Sequence, residues 1–370
     1  MKNISNNHRA HAGSTGKPAA ARRNALRATL AALVLLLCYT HIRSTSAQEA
    51  ITGEWIIETK PGTDRVYLTV QHNSGRHNHS MSSTDVMQDT LKGLNPALVQ
   101  SNGSPVQFQI VREAGTLNCE GWFKQGKGSG HFTFAPSQSF ANQMTSLGYG
   151  SLTDEKLFSM AVLNFKMSFV QDLKAQGYER PAIDDLFAMY IHGVDAKFIS
   201  EIKAAGYDRL PIDEMVAMRI HGVTPEFIKE VKSLGYENPS IDQLVAMRIH
   251  GVRTEFIKVL QDQGYNHPPI DDLVAMRIHG VNNDFVKELR EAGYDRVPID
   301  DMVAMRIHGV SVEFIKEVKR LGYDRVSIDQ LVAMRIHGVN AAFIEKMKSR
   351  GFNNLSIDDL IELKIHGLDK

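Results

Sequence analysis

The sequence predicts an α+β protein, in which a small antiparallel β-meander domain precedes an α-solenoid of two-helix, 29-residue repeats. Two observations support this prediction. Residues 48–136 contain short segments rich in β-branched and aromatic residues, separated by glycine-containing turns, as is typical of a β-meander. Residues 137–370 repeat the same signatures every 29 residues, and a period between about 20 and 50 residues indicates a solenoid. We therefore predict a leader (1–47), a β-rich domain (48–136) and about seven to eight helix-pair repeats (137–370).

The leader has the three-part layout of a secretory signal peptide. Its first part is polar and basic, residues 28–40 form an uncharged apolar run, and the small residues Thr45 and Ala47 precede a candidate cleavage point. The apolar run is shorter than the roughly 20 residues that span a bilayer as a helix. We expect cleavage after Ala47 and an exported chain, periplasmic or extracellular. An uncleaved membrane anchor formed by residues 28–40 is the alternative.

The charge balance argues against a nucleic-acid partner. The chain has 42 basic and 42 acidic side chains, and removing the leader, which carries seven basic residues and no acidic one, leaves 35 against 42. Binding along a nucleic-acid backbone requires clustered Lys and Arg. Only Cys38 and Cys119 are present, and Cys38 lies in the leader. The stability of the mature chain is therefore expected to come from packing rather than from disulfides.

The β-rich domain is predicted to contain five antiparallel strands, at residues 52–59, 64–71, 105–113, 116–125 and 128–136. Between the second and third strands, Thr84–Leu94 is predicted to form one short amphipathic helix. The glycine-rich segment 126–130 is interpreted as a hairpin turn, because it lacks the spacing of a phosphate-binding loop.

Three histidines of the β-rich domain, His72, His77 and His79, lie close together in sequence. Imidazole nitrogens bind zinc or copper, so a metal site is one hypothesis. No Cys or carboxylate stands at ligand spacing from them. We therefore interpret them as solvated loop side chains and predict no metal site and no cofactor.

Each repeat is predicted to contain two short helices. In one unit, Ser240 and Gln243 form a capping box that starts the first helix, and Gly251 supplies the left-handed residue after its last turn. The second helix covers residues 254–263 and ends at Gly264. Such short helices do not persist alone, so stacking of units must provide the remaining stability.

The two helices of a unit differ in polarity. The first is apolar over most of its circumference and is predicted to lie between neighbouring units, whereas the second has one apolar stripe and is predicted to lie outside. One phenylalanine of the second helix recurs at the same position in every unit. We assign a packing role to the series Phe227, Phe256, Phe285 and Phe314.

Seven units carry a histidine followed by glycine at the end of the first helix: His192, His221, His250, His279, His308, His337 and His366. Stacked helices lie about 8–10 Å apart, whereas two imidazoles on one zinc ion need nitrogens within about 3.5 Å of each other. We therefore predict a structural role, in which the imidazoles bond free carbonyls at the helix C-terminus. A pH-responsive series is the alternative.

Five units carry an arginine at one position of the first helix: Arg219, Arg248, Arg277, Arg306 and Arg335. One interpretation is that each Arg pairs between units. The other, chosen as the candidate partner-binding site, is that the series faces an acidic protein or peptide. The residues between the two helices, from Asp195–Lys197 to Asn340–Ala342, vary from unit to unit and are predicted to decide which partner binds.

The segment 216–236 (VAMRIHGVTPEFIKEVKSLGY) resembles repeats found C-terminal in some bacterial membrane metallopeptidases of the beta-lactam-sensor type, and in small exported proteins from similar bacteria. The resemblance covers residues 140–370. No His-Glu-x-x-His motif occurs in the chain, so peptidase activity is not carried over. What the resemblance implies is a sensory or regulatory accessory module.

These observations together predict a non-enzymatic, exported interaction or scaffold protein that presents a repeated surface to a protein or peptide. The chain has no Gly-x-Ser-x-Gly or Cys-x-x-Cys motif, and identical residues in every unit are not the unique constellation that catalysis needs. An envelope structural protein, or a module whose β domain senses a small molecule, is the alternative. An enzyme is the least favoured class.

Overall fold

A computed structural model of the chain describes residues 50–60, 62–73 and 79–367. The predicted leader (1–47), with its apolar run 28–40, lies outside the described residues, as does His77. Among the residues described, no helix is both long and apolar enough to cross a membrane.

The β domain is one antiparallel sheet with the strand order β3-β2-β1-β7-β6-β5-β4. Its strands are β1 (Thr52–Thr59), β2 (Arg65–Asn73), β3 (His79–Met87), β4 (Leu91–Lys92), β5 (Asn102–Arg112), β6 (Gly115–Lys124) and β7 (Lys127–Pro136). A single helical turn, α1 (Pro96–Val99), joins β4 to β5. The predicted α+β class, with a β-meander before helical repeats, is confirmed, and the sheet has two strands more than the five predicted.

The predicted helix at Thr84–Leu94 is wrong. Its first four residues lie in the edge strand β3, which pairs with β2, and a 3₁₀ turn (Gln88–Thr90) then leads to β4. The pairing places Val86 in the core and lets the Thr69 and Ser83 hydroxyls hydrogen-bond each other at 3.0 Å. Cross-strand side-chain pairs of this kind stabilise an edge strand, whereas a single short helix is not stable on its own.

Trp55 lies at the centre of the β-domain core and is fully buried. Its ring centroid lies 5.0 Å from that of Phe108 and 5.7 Å from that of Phe123. Its indole Nε1–H donates to the carbonyl oxygens of Glu120 and His131, each at 3.1 Å. The largest side chain of the core is therefore also hydrogen-bonded, as a buried indole requires.

A pair of glycines makes room for this indole. Gly121 on β6 pairs with Gly130 on β7, and a Cβ added at Gly121 would lie 2.7 Å from the ring of Trp55. A side chain there would displace the indole or open the sheet. The segment 126–130 belongs to the β6–β7 hairpin, in agreement with its interpretation as a turn, and positive φ angles at Gln125 and Gly126 form the tip.

The helices after β7 form two interleaved series with a spacing of 29 residues. The A helices are α3 (Asp154–Val162), α5 (Ile183–His192), α7 (Ile212–His221), α9 (Ile241–Ile249), α11 (Ile270–Ile278), α13 (Ile299–Ile307), α15 (Ile328–Ile336) and α17 (Ile357–Ile365). The B helices are α2 (Gln138–Met144), α4 (Met167–Ala175), α6 (Ala196–Ala204), α8 (Pro225–Ser233), α10 (Thr254–Asp262), α12 (Asn283–Glu291), α14 (Val312–Arg320) and α16 (Ala341–Ser349).

From α5 onward each A helix packs on the next A helix, and most B helices from α4 onward pack on the next B helix, so the array has two layers. The predicted capping box is present, since the Gln243 amide N–H donates to Ser240 Oγ and the Ser240 amide N–H to Gln243 Oε1, both at 3.1 Å. Gly251 has a φ of +69° and ends the helix as predicted. Local capping thus fixes both ends of this helix, while packing between units stabilises the array.

The first A helix, α3, covers the core of the β domain. Phe158 stacks on Phe132 with ring centroids 5.6 Å apart and meets Phe134 edge-on. The interpretation of His72 as a solvated loop side chain is wrong, because it lies on β2 and is buried beside this cluster. Its Nε2 lies 3.2 Å from Glu155 Oε1. The altered first unit therefore docks on the sheet.

The β domain also caps the second helix of that unit. Glu113, at the β5–β6 turn, accepts a hydrogen bond of 2.8 Å from the Met167 amide at the N-terminus of α4. Its other oxygen lies 3.4 Å from Lys166 Nζ. A carboxylate at this position satisfies a free amide and opposes the positive end of the helix dipole.

Candidate interaction surface

The five arginines of the candidate site stack on phenylalanines of the preceding unit. The guanidinium carbon lies 4.9–5.4 Å from the ring centroid in the pairs Arg219–Phe198, Arg248–Phe227, Arg277–Phe256, Arg306–Phe285 and Arg335–Phe314. Lys364 takes the same place over Phe343. Each cation thus covers a ring that is otherwise buried by packing. The Phe series and the Arg series, predicted separately, meet across five successive unit boundaries.

The same guanidinium groups lie at the C-terminal ends of the preceding A helices. Arg219 Nε–H donates to the His192 carbonyl oxygen at 3.1 Å. On α5, Tyr190 occupies the Arg position, and its hydroxyl donates to the Asn164 carbonyl at 2.7 Å. A donor at this position therefore bonds the end of the previous helix, where carbonyl groups lack intrahelical partners.

Stacking leaves the positive charge of the series without a counter-ion. In the described part of the chain, none of the five arginines takes part in an ion pair. Four of them are exposed, and Arg277 is half-buried. The candidate site therefore presents a row of cations that a carboxylate of another molecule can reach.

Next to each cation lies an exposed isoleucine, a feature that sequence reasoning missed. The side chains are 52–58% exposed in the series Ile191, Ile220, Ile249, Ile278, Ile307, Ile336 and Ile365. The apolar pattern of the A helix suggested a core position for each of them. Packing of A on A and of A on B instead leaves this last-turn position outside both layers, so the array carries one exposed apolar side chain per unit.

The seven histidines follow these isoleucines and are also exposed. Within the described residues, their rings make none of the predicted hydrogen bonds to helix carbonyls. Backbone amides bind those carbonyls instead, as when the Val252 amide donates to the Met247 carbonyl at 2.8 Å. We call the surface formed by the seven isoleucines and the seven histidines the Ile/His stripe. The arginine series borders it.

The variable residues between the helices have a structural role that was not predicted from the sequence. The first residue of most of these segments caps a B helix, and its side chain accepts a hydrogen bond from the amide of the recurring Phe. Asp195 accepts from Phe198 at 2.8 Å, and Asn340 accepts from Phe343 at 2.9 Å. Arg253 lacks such a bond. Variation at these positions is therefore limited partly by capping chemistry, and the segments are less free to specify a partner than predicted.

A tyrosine series connects each unit to the next one along the chain. The hydroxyls donate over 2.6–3.0 Å to carbonyl oxygens 32 residues later, in the pairs Tyr178–Leu210, Tyr207–Pro239, Tyr236–Pro268, Tyr265–Val297, Tyr294–Val326 and Tyr323–Leu355. Burial raises the pKa of Tyr236 to about 12. The recurring Gly-aromatic pair was visible in the sequence, but its long-range acceptor was not.

The B layer has its own cation at the unit boundary. Lys232 Nζ donates to the Ala205 carbonyl at 2.7 Å, and Lys348 Nζ to the Leu321 carbonyl at 2.6 Å, each at the end of the preceding B helix. These ammonium groups are half-buried and engaged. The arginine series on the A layer is therefore the more accessible row of cations.

Two further features bear on chemistry. Among the described residues, no group of three or more His, Cys, Asp or Glu is arranged to hold a metal ion. Burial raises the pKa of the Cys119 thiol to about 12, so this thiol stays protonated at neutral pH and is a poor nucleophile.

The comparisons with known proteins add no family. No protein-family model matches the chain, and no curated protein matches it.

Proposed function

We propose that this chain is a non-enzymatic, exported interaction protein whose Ile/His stripe and arginine series bind an acidic protein segment. The observation that supports this most strongly is the isoleucine series. Each isoleucine exposes over half of its side chain, and packing of the array does not require an apolar residue at that position. A contiguous row of exposed apolar side chains bordered by charge is typical of an interaction site.

The spacing of the stripe suggests the conformation of the partner. Neighbouring packed helices lie about 8–10 Å apart, so successive isoleucines repeat at about that distance. A polyproline II chain rises about 3.1 Å per residue and has three residues per turn, so every third side chain lies on the same face at a spacing of about 9 Å. Every third residue of such a chain therefore matches one isoleucine. We propose a polyproline II segment with apolar residues at every third position and Asp or Glu between them, where the arginines lie.

A synthetic peptide tests this directly. A fluorescent peptide with Leu at every third position and Glu between them should bind the mature chain in an anisotropy titration. A peptide of the same composition with its leucines consecutive should bind at least about tenfold more weakly, because only one or two leucines can then reach the stripe. Equal binding of both peptides would show that charge alone is recognised, and absence of binding would reject the proposed partner class.

Variants of the protein give the complementary test. Replacing Ile249, Ile278 and Ile307 together by Ser should weaken peptide binding by about a hundredfold, since each half-exposed Ile gains roughly 1 kcal/mol on full burial. Because these side chains are exposed, the unfolding midpoint should hardly change. The matched control replaces Lys229, Lys258 and Lys287 by Ser. These lysines are exposed on the B helices of the same region. It should bind like the unaltered chain.

The arginine series has a separate test. Replacing Arg248, Arg277 and Arg306 by Gln should weaken binding by about tenfold and remove most of its salt dependence. If this variant stays folded and binds undiminished, the arginines serve only the packing between units.

Export is the other half of the proposal. It rests on the composition of residues 1–47, and mass spectrometry of the purified native protein should find the mature N-terminus near Gln48. Recovery of a cytoplasmic form that keeps Met1 would contradict it. The resemblance of the repeats to arrays in sensor-type membrane metallopeptidases adds the proposal that binding serves a sensory or regulatory role.

A further inference from the structure

The solvent-facing side of the β sheet carries a second, unrelated surface. A groove of about 570 Å³ crosses strands β5, β6 and β7 there, which is within the range of about 300–1,000 Å³ typical of small-ligand sites. Its polar lining includes Lys92, Gln107, Gln109, Asn118, Glu120 and His131. The opposite face of the sheet is the buried core, so these side chains have no packing role.

An exposed indole stands at one end of this groove. Trp122 is two residues from Glu120 on the same face of β6, which places it about 7 Å further along the strand. It is 62% exposed, whereas the other tryptophan, Trp55, is fully buried. Opposite Trp122 lies Pro105 on β5, and two strands away in the same register lies the exposed Ile56. A large flat aromatic ring is thus held in solvent on a rigid strand.

The polar groups of the groove are partly oriented before any ligand binds. The Gln109 Nε2–H donates to Asn118 Oδ1 at 2.7 Å across the β5–β6 pair. This bond holds both amides upright and leaves the Gln109 oxygen and the Asn118 nitrogen for other partners. Gln107, Glu120 and His131 follow side by side across three strands. The row therefore offers several donors and acceptors along one line.

We propose that this face binds a neutral glycan chain of β-1,4-linked pyranoses. An all-equatorial pyranose has a flat C–H face that stacks on an indole and a rim of hydroxyls that both donate and accept hydrogen bonds. Trp122 supplies the platform, and the amides, carboxylate and imidazole of the groove supply partners for the rim. A protein ligand would require a contiguous apolar centre, whereas the exposed rings of Trp122 and Tyr67 and the exposed Ile56 lie on separate strands of this face. A nucleic acid would meet the carboxylate of Glu120.

Fluorescence provides the test, because one tryptophan lies at the site and the other in the core. Cellotetraose and chitotetraose, added to the mature chain, should produce a saturable change of indole emission at submillimolar to millimolar concentration. Trp122→Phe removes the reporting indole, so the remaining emission from Trp55 should not respond. By calorimetry, Trp122→Ala should weaken binding by roughly tenfold, and Gln107→Ala by less.

Matched variants and ligands separate the outcomes. Tyr67→Ala removes an exposed aromatic ring from the same face, two strands away from the groove, and should leave glycan binding unchanged. Maltotetraose, which is α-linked and curved, should bind more weakly. Failure of both β-linked glycans to bind at millimolar concentration overturns the proposal, as does binding unaffected by Trp122→Ala. If the unaltered chain binds no glycan and Trp122→Ala loses binding to the acidic peptide, this face is instead part of a protein interface. The isoleucine variants test the stripe independently.

Discussion

The β domain and the helical array are stabilised in different ways. In the β domain, Trp55 contacts groups 53 to 76 positions away in sequence, and the residues around it occur once. In the array, the contacts that join units span 21 to 32 residues and recur with the same geometry, as Arg248–Phe227 and Tyr236–Pro268 illustrate. The β domain can therefore build one unique site, whereas the array builds one surface many times. The destabilisation caused by loss of a core residue should spread through the whole β domain but stay local in the array.

The largest effect is expected from Trp55→Ala. The substitution leaves a cavity and removes the indole donor from two carbonyls, so it should cost about 3–5 kcal/mol and unfold the β domain as a whole. Hydrogen exchange should accelerate throughout residues 52–136, while units beyond residue 240 keep their protection. Trp122→Ala, at the exposed tryptophan, should change stability by less than about 0.5 kcal/mol. Loss of protection in the distant units would mean that the two regions unfold together.

Phe256→Ala is the matching change in the array. Phe256 is 4% exposed and lies beneath Arg277, so the cavity should cost up to about 3–5 kcal/mol. The increase in hydrogen exchange should concentrate around residues 240–285, with the β domain intact. A single cooperative unfolding step that includes the β domain would contradict nearest-neighbour stability.

The periodic part of the fold was the easier part to predict. Caps such as Ser240–Gln243 and stop signals such as Gly251 are local in sequence, so the helix boundaries followed from short-range chemistry. The prediction of a helix at Thr84–Leu94 was wrong because the start of this segment pairs with β2, and a local stretch of sequence does not show that pairing. Strand pairing overrode a weak helical periodicity.

The candidate site was only partly predictable, for a similar reason. The arginine, phenylalanine and histidine series were visible as repeats, but the pairing of Arg248 with Phe227 crosses a unit boundary. The exposure of Ile249 could not be inferred, since apolar periodicity does not distinguish a core position from an exposed one at a helix end. Only the arrangement of the two layers decides it.

Alkaline pH should weaken the array through its buried tyrosines. Burial raises the pKa of Tyr236 to about 12, and burial shifts Tyr178, Tyr207, Tyr265, Tyr294 and Tyr323 in the same direction. An unfolded tyrosine has a pKa near 10. The folded state therefore holds more protons than the unfolded state in this pH range. The stability that these tyrosines contribute is complete below about pH 10 and should be lost as the pH rises through about 12.

Denaturation of the array at several pH values between neutrality and pH 12 measures this loss. Tyr236→Phe is the control for the lysines that titrate in the same window. It should be less stable than the unaltered chain at neutral pH, because the Pro268 carbonyl loses its donor, and should lose less stability on going to pH 12. Parallel losses in both proteins would assign the pH effect to groups other than Tyr236.

The smallest effect is expected from Arg248→Gln. The guanidinium is exposed and stacks on Phe227 at 5.0 Å, and an exposed cation–π contact contributes about 0.5–1 kcal/mol. The array itself indicates which change is tolerated, because Lys364 stacks on Phe343 at 4.9 Å in the last unit. Arg248→Lys should therefore retain most of the stability that Arg248→Gln loses, as measured by chemical denaturation. If peptide binding falls in Arg248→Lys while stability does not, the planar fork of the guanidinium recognises the carboxylates of the partner; equal binding by Lys and Arg would mean that only the charge at the border of the Ile/His stripe matters.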